Sequence, residues 1–323
     1  MDPFLMGLFV GASYLTSLLG VQQVGLSLHH AGKPESAAHW FRLATQLTLN
    51  PKLRIILRGN LMAALHCSAR YNEVDREWER VCPKLDKAGP FAPLLQSCYA
   101  ASLYYRGRYQ RGLEVTEWRG VPSQAAGAED CEMLLFINRA ACLFDLGRFE
   151  EAARALEEAG RRKSRQVVVA TALHLALARQ AVQANQVESA LDSLSRGQFR
   201  ELPPIYQADV ELNRASLLAR CNVLEEAEEI LARPFPYESP RCRFLRPMAT
   251  AYLWHARSEP RRALVEFQRC LDSGYPAGEA SLLAGDLAAG LGDRPAARDF
   301  YLAAIGTDPE SYWALLATNR LKQ

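Results

Sequence analysis

Apolar residues fall into helical runs along the chain, and one recurring phrase punctuates them. A run ends in a turn carrying Gly or Asn. An aromatic or aliphatic residue follows two positions later, then a small residue, then a large apolar one. The clearest copies are Leu146-Gly147-Arg148-Phe149-Glu150-Glu151-Ala152 and Leu291-Gly292-Asp293-Arg294-Pro295-Ala296-Ala297. Looser copies occur at Gly32 with Ala37, Gly107 with Gly112, Asn185 with Ala190, Asn222 with Ala227 and Ser258 with Ala263, and Tyr71 with Val74 is the most divergent. The small residue thus recurs at 37, 74, 112, 152, 190, 227, 263 and 297, in steps of 37, 38, 40, 38, 37, 36 and 34. Seven near-equal steps predict eight helix–turn–helix units and leave no room for a conventional second domain.

These residues resemble the tetratricopeptide repeat, a helix pair of about 34 residues. Its small position 8 is matched by Gly25, Ala100, Ala140, Ala178, Ala215, Ala251 and Gly285, and its large position 24 by Phe41, Trp78, Leu156, Leu194, Leu231, Phe267 and Tyr301. Thr116, at position 24 of the third unit, departs from the pattern. The resemblance implies an all-α fold, an α-solenoid in which antiparallel helix pairs stack into a right-handed superhelix. The expected divisions are an apolar N-terminal helix over 1–20, the array over 21–311 and a closing helix over 312–323. Pro-rich stretches such as Leu202-Pro203-Pro204 and Arg233-Pro234-Phe235-Pro236-Tyr237 are expected between one unit's second helix and the next unit's first.

In this family the first helix of each pair lines a concave face where ligands lie. The members that clamp a C-terminal carboxylate carry Lys at position 5 and Asn at position 9. Neither occurs here, so that activity is not expected. Position 6 reads Asn60, Asn138 and Asn213 in the second, fourth and sixth units. A carboxamide matches the donor and acceptor of one peptide unit, so these three could hold an extended peptide. The plainer reading is that each bonds within its own helix pair. Tyr104, Tyr105, Phe144, Arg179, Tyr252 and His255 would add amphipathic contact area to the same groove.

Charge and composition narrow the possibilities. Thirty-eight basic and 36 acidic side chains give a net charge of +2, leaving no field to gather nucleic acid. The eight cysteines include no C-x-x-C pair and no finger-like partnership with histidine, so neither a zinc site nor any other metal is expected, and they read as reduced thiols of a cytoplasmic protein. No Gly-rich phosphate loop or nucleophile elbow is present, and adjacent His29 and His30 diverge on a helix. The sequence therefore predicts no enzyme and no cofactor.

Uneven charge distribution marks the N-terminus. Between Asp2 and Lys33 there is no formally charged residue apart from the two histidines. Residues 3–21 are borderline for a membrane span, and Phe4, Leu5, Gly7, Leu8, Phe9, Gly11 and Leu15 form its apolar body, with Gly7 and Gly11 at small-xxx-small spacing. No Lys or Arg precedes the run, which disfavours a signal peptide. Two readings stand: a membrane anchor with the repeats facing the cytoplasm, or a long helix packed on protein, its own array or another chain. The expectation as a whole is a non-catalytic scaffold or adaptor binding a protein or extended peptide in its groove, possible membrane tethering included. The alternative is a subunit of a larger assembly, of secretion, trafficking or chaperone type, that oligomerises through its first helix.

Overall fold

The computed structural model describes residues 18–117, 127–275 and 278–323. Phe4 to Leu15 lie outside the described residues. Those described form helices and connecting turns, with no strand among them. The helices pair as α1 (18–30) with α2 (Pro34–Leu47), α3 (Pro51–Cys67) with α4 (Tyr71–Val81), and α5 (Ala92–Tyr104) with α6 (Tyr109–Val115). Then come α7 (Ala128–Asp145) with α8 (Phe149–Gly160), α9 (Val167–Gln183) with α10 (Val187–Arg196), and α11 (Pro204–Arg220) with α12 (Leu224–Ala232). The series ends with α13 (Cys242–Ala256) and α14 (Pro260–Asp272), α15 (Gly278–Gly290) and α16 (Arg294–Thr307), and a lone α17 (Tyr312–Leu321).

One turn is built eight times. Each first helix ends on a left-handed residue: Gly32, Ala69, Gly107, Gly147, Asn185, Asn222, Ser258 and Gly292 all have φ between 55° and 84°. The next amide reaches back to the helix five residues earlier, as Arg148 N does to the Leu143 carbonyl at 2.8 Å and Val223 N to Leu218 at 2.9 Å. This closure satisfies the last carbonyls of the helix and requires αL backbone, which explains the Gly and Asn of the recurring phrase. Ala69, in the most divergent unit, and Ser258 fill the position with residues poorly suited to it.

The small positions let the helices of a pair touch. Ala37, Ala152, Ala190, Ala227 and Ala263 are fully buried, and so are Ala100, Ala140, Ala178, Ala215 and Ala251 on the facing helices. In the first and eighth units position 24 is a ring and the facing residue is glycine: a Cβ on Gly25 would stand 2.7 Å from the Phe41 ring, and one on Gly285 would strike Tyr301. Each buried ring such as Phe41 or Phe267 contributes roughly 2–3 kcal/mol. The Pro-rich stretches lie between α4 and α5, α10 and α11, and α12 and α13, as a residue without a backbone donor requires.

Candidate functional site

The first helices face inward, and what they meet is largely the protein itself. Four hydrogen bonds cross the superhelix axis. His29 Nε2 pairs with the Tyr206 hydroxyl at 3.1 Å, 177 residues away. Tyr237 donates its hydroxyl to the Cys67 carbonyl at 3.2 Å, 170 residues away. Arg241 Nη1 donates to His66 Nε2 at 2.8 Å, 175 residues away, and Trp313 Nε1 donates to Asp145 Oδ1 at 2.7 Å, 168 residues away. Separations this uniform equal about five repeats, so the turn end of each early unit seats on the start of the fifth unit after it.

Arg241 is the centre of this clasp. It precedes α13, is 6% exposed, and forms an ion pair with Asp209 of α11. Its guanidinium lies 4.6 Å from the Tyr105 ring centroid. Asp209 also accepts from Ser239 Oγ at 2.6 Å and from Cys242 Sγ at 3.3 Å. Because Arg241 donates to it, His66 must be the neutral acceptor; burial first, and then the Arg241 charge, hold its pKa well below the ordinary value. Burial likewise lowers His29 to about 4, with His30 adding to the effect. Gly32 fits the same seam, since a Cβ there would lie 2.7 Å from Tyr237 Cβ.

Beyond the clasp the axis opens into a cavity of about 290 Å³, walled by the first helices of the third to eighth units and closed at one end by α17. Its walls are apolar and include Ile137, Leu175, Val210 and Met248, and small Ala141, Ala172 and Ala176 leave the room. Two ion pairs face it. Arg179 donates to both Asp145 oxygens at 3.0 and 3.1 Å and to the Tyr104 hydroxyl at 2.8 Å, so its charge is closely paired. Arg220 reaches Glu279 at only 3.5 Å, and Glu279 takes a shorter bond, 2.6 Å, from the Tyr252 hydroxyl. Burial, followed by the Glu279 charge, raises the Tyr252 pKa well above that of a free phenol, so it is a donor at any physiological pH.

Seven of the nine groove residues singled out from the sequence line this one cavity: Tyr104, Tyr105, Asn138, Phe144, Arg179, Asn213 and Tyr252. Asn60 is half-buried on α3 away from it, and His255 is exposed at the end of α13. The asparagines that do line it donate to the protein. Asn138 Nδ2 bonds Ser97 Oγ at 2.7 Å and its carbonyl at 3.2 Å, and Asn213 Nδ2 bonds the Asp209 carbonyl at 2.7 Å. Their amide oxygens and one N–H of Asn213 remain for a ligand. Sequence reasoning missed Asp145, Arg220, Glu279 and Arg241. Asp145 and Arg220 stand at helix ends, and Arg241 and Glu279 at helix starts, where charge is unremarkable.

Among the described residues no three His, Cys, Asp or Glu side chains group as metal ligands, and no helix is long and apolar enough to cross a membrane. All eight cysteines are free; burial pushes Cys98 up to about 12 and Cys67 to about 11, which makes both poor nucleophiles.

No protein-family model and no curated protein matches the sequence. Solved structures do match its fold. A chain in the crystal structure of the APC/C hetero-tetramer Cut9–Hcn1 superposes over 93% of this chain with a TM-score of 0.53 at 10% identity, and this chain spans about half, 55%, of that one. A tetratricopeptide repeat protein from Parabacteroides merdae covers 95% of this chain and 98% of its own length at 14% identity, with a TM-score of 0.41. The eightfold αL turn, the buried small residues at both helix faces and the Cut9–Hcn1 superposition together establish the fold: this chain is an all-α solenoid of tetratricopeptide-repeat type.

Proposed function

We propose that this chain is a non-catalytic scaffold that binds a protein partner, and that its concave side receives a compact ligand, one or two residues of that partner or a molecule of that size. One observation carries the reading: cross-axis contacts occupy the groove that an extended peptide would need, and leave a cavity of about 290 Å³. That volume sits at the small end of ligand pockets. The cavity offers apolar walls with a few convergent polar groups, the usual make-up of a binding site, and it presents no nucleophile beside a base. The test is affinity purification with the wild-type chain and with Ala176→Phe, which would fill the cavity. Partners retained by the wild type and lost by the variant support the reading; an identical partner set from both would overturn it.

A second reading concerns the N-terminus. On α1, Leu18 is buried against Ala44 and Leu57, whereas Leu19 and Val24 are 62% and 41% exposed, so this helix presents apolar side chains outward. With the uncharged run before it, this favours residues 3–21 as an attachment segment that tethers the array to a membrane on the side of Lys33 and Arg42. Removal of residues 1–20 should then release the protein from the membrane fraction. Full-length protein that is soluble without detergent and has the scattering mass of a dimer would instead make the segment an oligomer contact.

A further inference from the structure

The cavity's two ion pairs are unequally satisfied, and the difference specifies a ligand. Arg179 makes three hydrogen bonds, to Asp145 and Tyr104, and is the better satisfied of the two cations. Arg220 faces the same space over the Tyr252 ring, 5.2 Å from its centroid, with one 3.5 Å contact to Glu279 as its one hydrogen bond among the described residues. A guanidinium has five donors in a planar fork suited to a carboxylate. Glu279 has one oxygen occupied by Tyr252 and the other unbonded, and the amide oxygens of Asn138 and Asn213 accept nothing. The site thus offers one under-used cation, one under-used carboxylate and two bare acceptors between apolar walls.

The formal charge of the lining is zero, since Arg179 and Arg220 balance Asp145 and Glu279. A plain anion would leave three negative charges against two positive ones in a shielded space, and a plain cation would leave the reverse. A molecule carrying both charges preserves the balance while supplying what Arg220 and Glu279 lack. We propose that the cavity binds a free α-amino acid with a large apolar side chain, its carboxylate on Arg220, its ammonium on Glu279, and its side chain between Ile137, Leu175 and Met248. This narrows the compact-ligand reading above to one chemical class, and makes the scaffold responsive to a metabolite.

The test is calorimetric titration of the full chain with L-leucine, L-phenylalanine and L-tryptophan, each beside its N-acetyl amide, which keeps the side chain and removes both charges. Arg220→Met and Glu279→Gln are run in parallel, with thermal melts to establish that each is folded. The expected result is binding of at least one free amino acid, none of its capped form, and a loss of about tenfold or more in both variants. Capped and free forms binding equally would overturn the zwitterion and leave the compact-ligand reading standing. No binding of any of the three would overturn the proposal, while the partner-capture comparison with Ala176→Phe still decides the other reading on its own.

Discussion

The two halves of the superhelix axis are built from the same helices and end in opposite states. Near the first two units, His66, Tyr105, Asp209, Tyr237 and Arg241 meet and fill the space; Arg241 is bonded to His66 and paired with Asp209, while His66 Nδ1 and His29 Nδ1 are buried without a hydrogen-bond partner. Toward the later units, alanines occupy equivalent inward positions, and Arg220 and Glu279 are left loosely joined. The clasp is therefore the filled region and the cavity the receptive one, by side-chain size rather than by backbone.

The strongest challenge to the clasp is Arg241→Ala, which leaves Asp209 buried without its cation and should cost about 3–5 kcal/mol in denaturant unfolding. A loss below about 1 kcal/mol would show that the early and late units do not depend on each other there. Acid should act on the same seam. The folded protein holds His29 near 4 and His66 well below its ordinary value, so the unfolded chain takes up protons first as pH falls below about 6.5. Stability should be full above that pH and decline below it, by of the order of 3 kcal/mol from His29 alone by pH 4. His29→Asn should flatten the slope of unfolding free energy between pH 7 and 5.5.

Asp145→Ala strips Arg179 and Trp313 of their shared acceptor at the cavity's end. Because Arg179 is 26% exposed toward the cavity, the expected cost is smaller, about 2 kcal/mol. Gly32→Ala would force αL backbone on alanine and press its Cβ into Tyr237, for about 1–3 kcal/mol. The smallest effect belongs to the receptive region: Ala176→Phe enters open space and should change the melting midpoint by less than about 1 kcal/mol equivalent. A larger loss would mean that the cavity is not room to spare.

The repeat was readable because it is local. Small residues recur where helices of one pair touch, and the Gly or Asn before them is dictated by a turn that closes over six residues, so spacing alone exposes the units. The clasp joins residues some 170 positions apart, and nothing near Arg241 or His66 in the chain announces the other. The inward-facing positions led to the cavity through Arg179, Asn138 and Tyr252, yet Asn138 and Asn213 proved to donate to Ser97 and Asp209. Hydrogen-bond direction depends on neighbours that only packing supplies. Arg220 and Glu279 stayed hidden for the same reason, since a charge at a helix end usually faces water.

Spacing across the axis has a consequence for descent and for engineering. In an open solenoid each unit answers only to its neighbours, and units can be added or dropped with graded effect. Here His29, His66 and Asp145 each need a mate five units on, so the molecule counts its own repeats. Deleting or duplicating the fifth unit, the one that lies between both partners of every pair, would set Tyr206, Arg241 and Trp313 opposite the wrong faces, and every cross-axis bond would be lost together. Such a chain can drift in sequence far more freely than it can change in length.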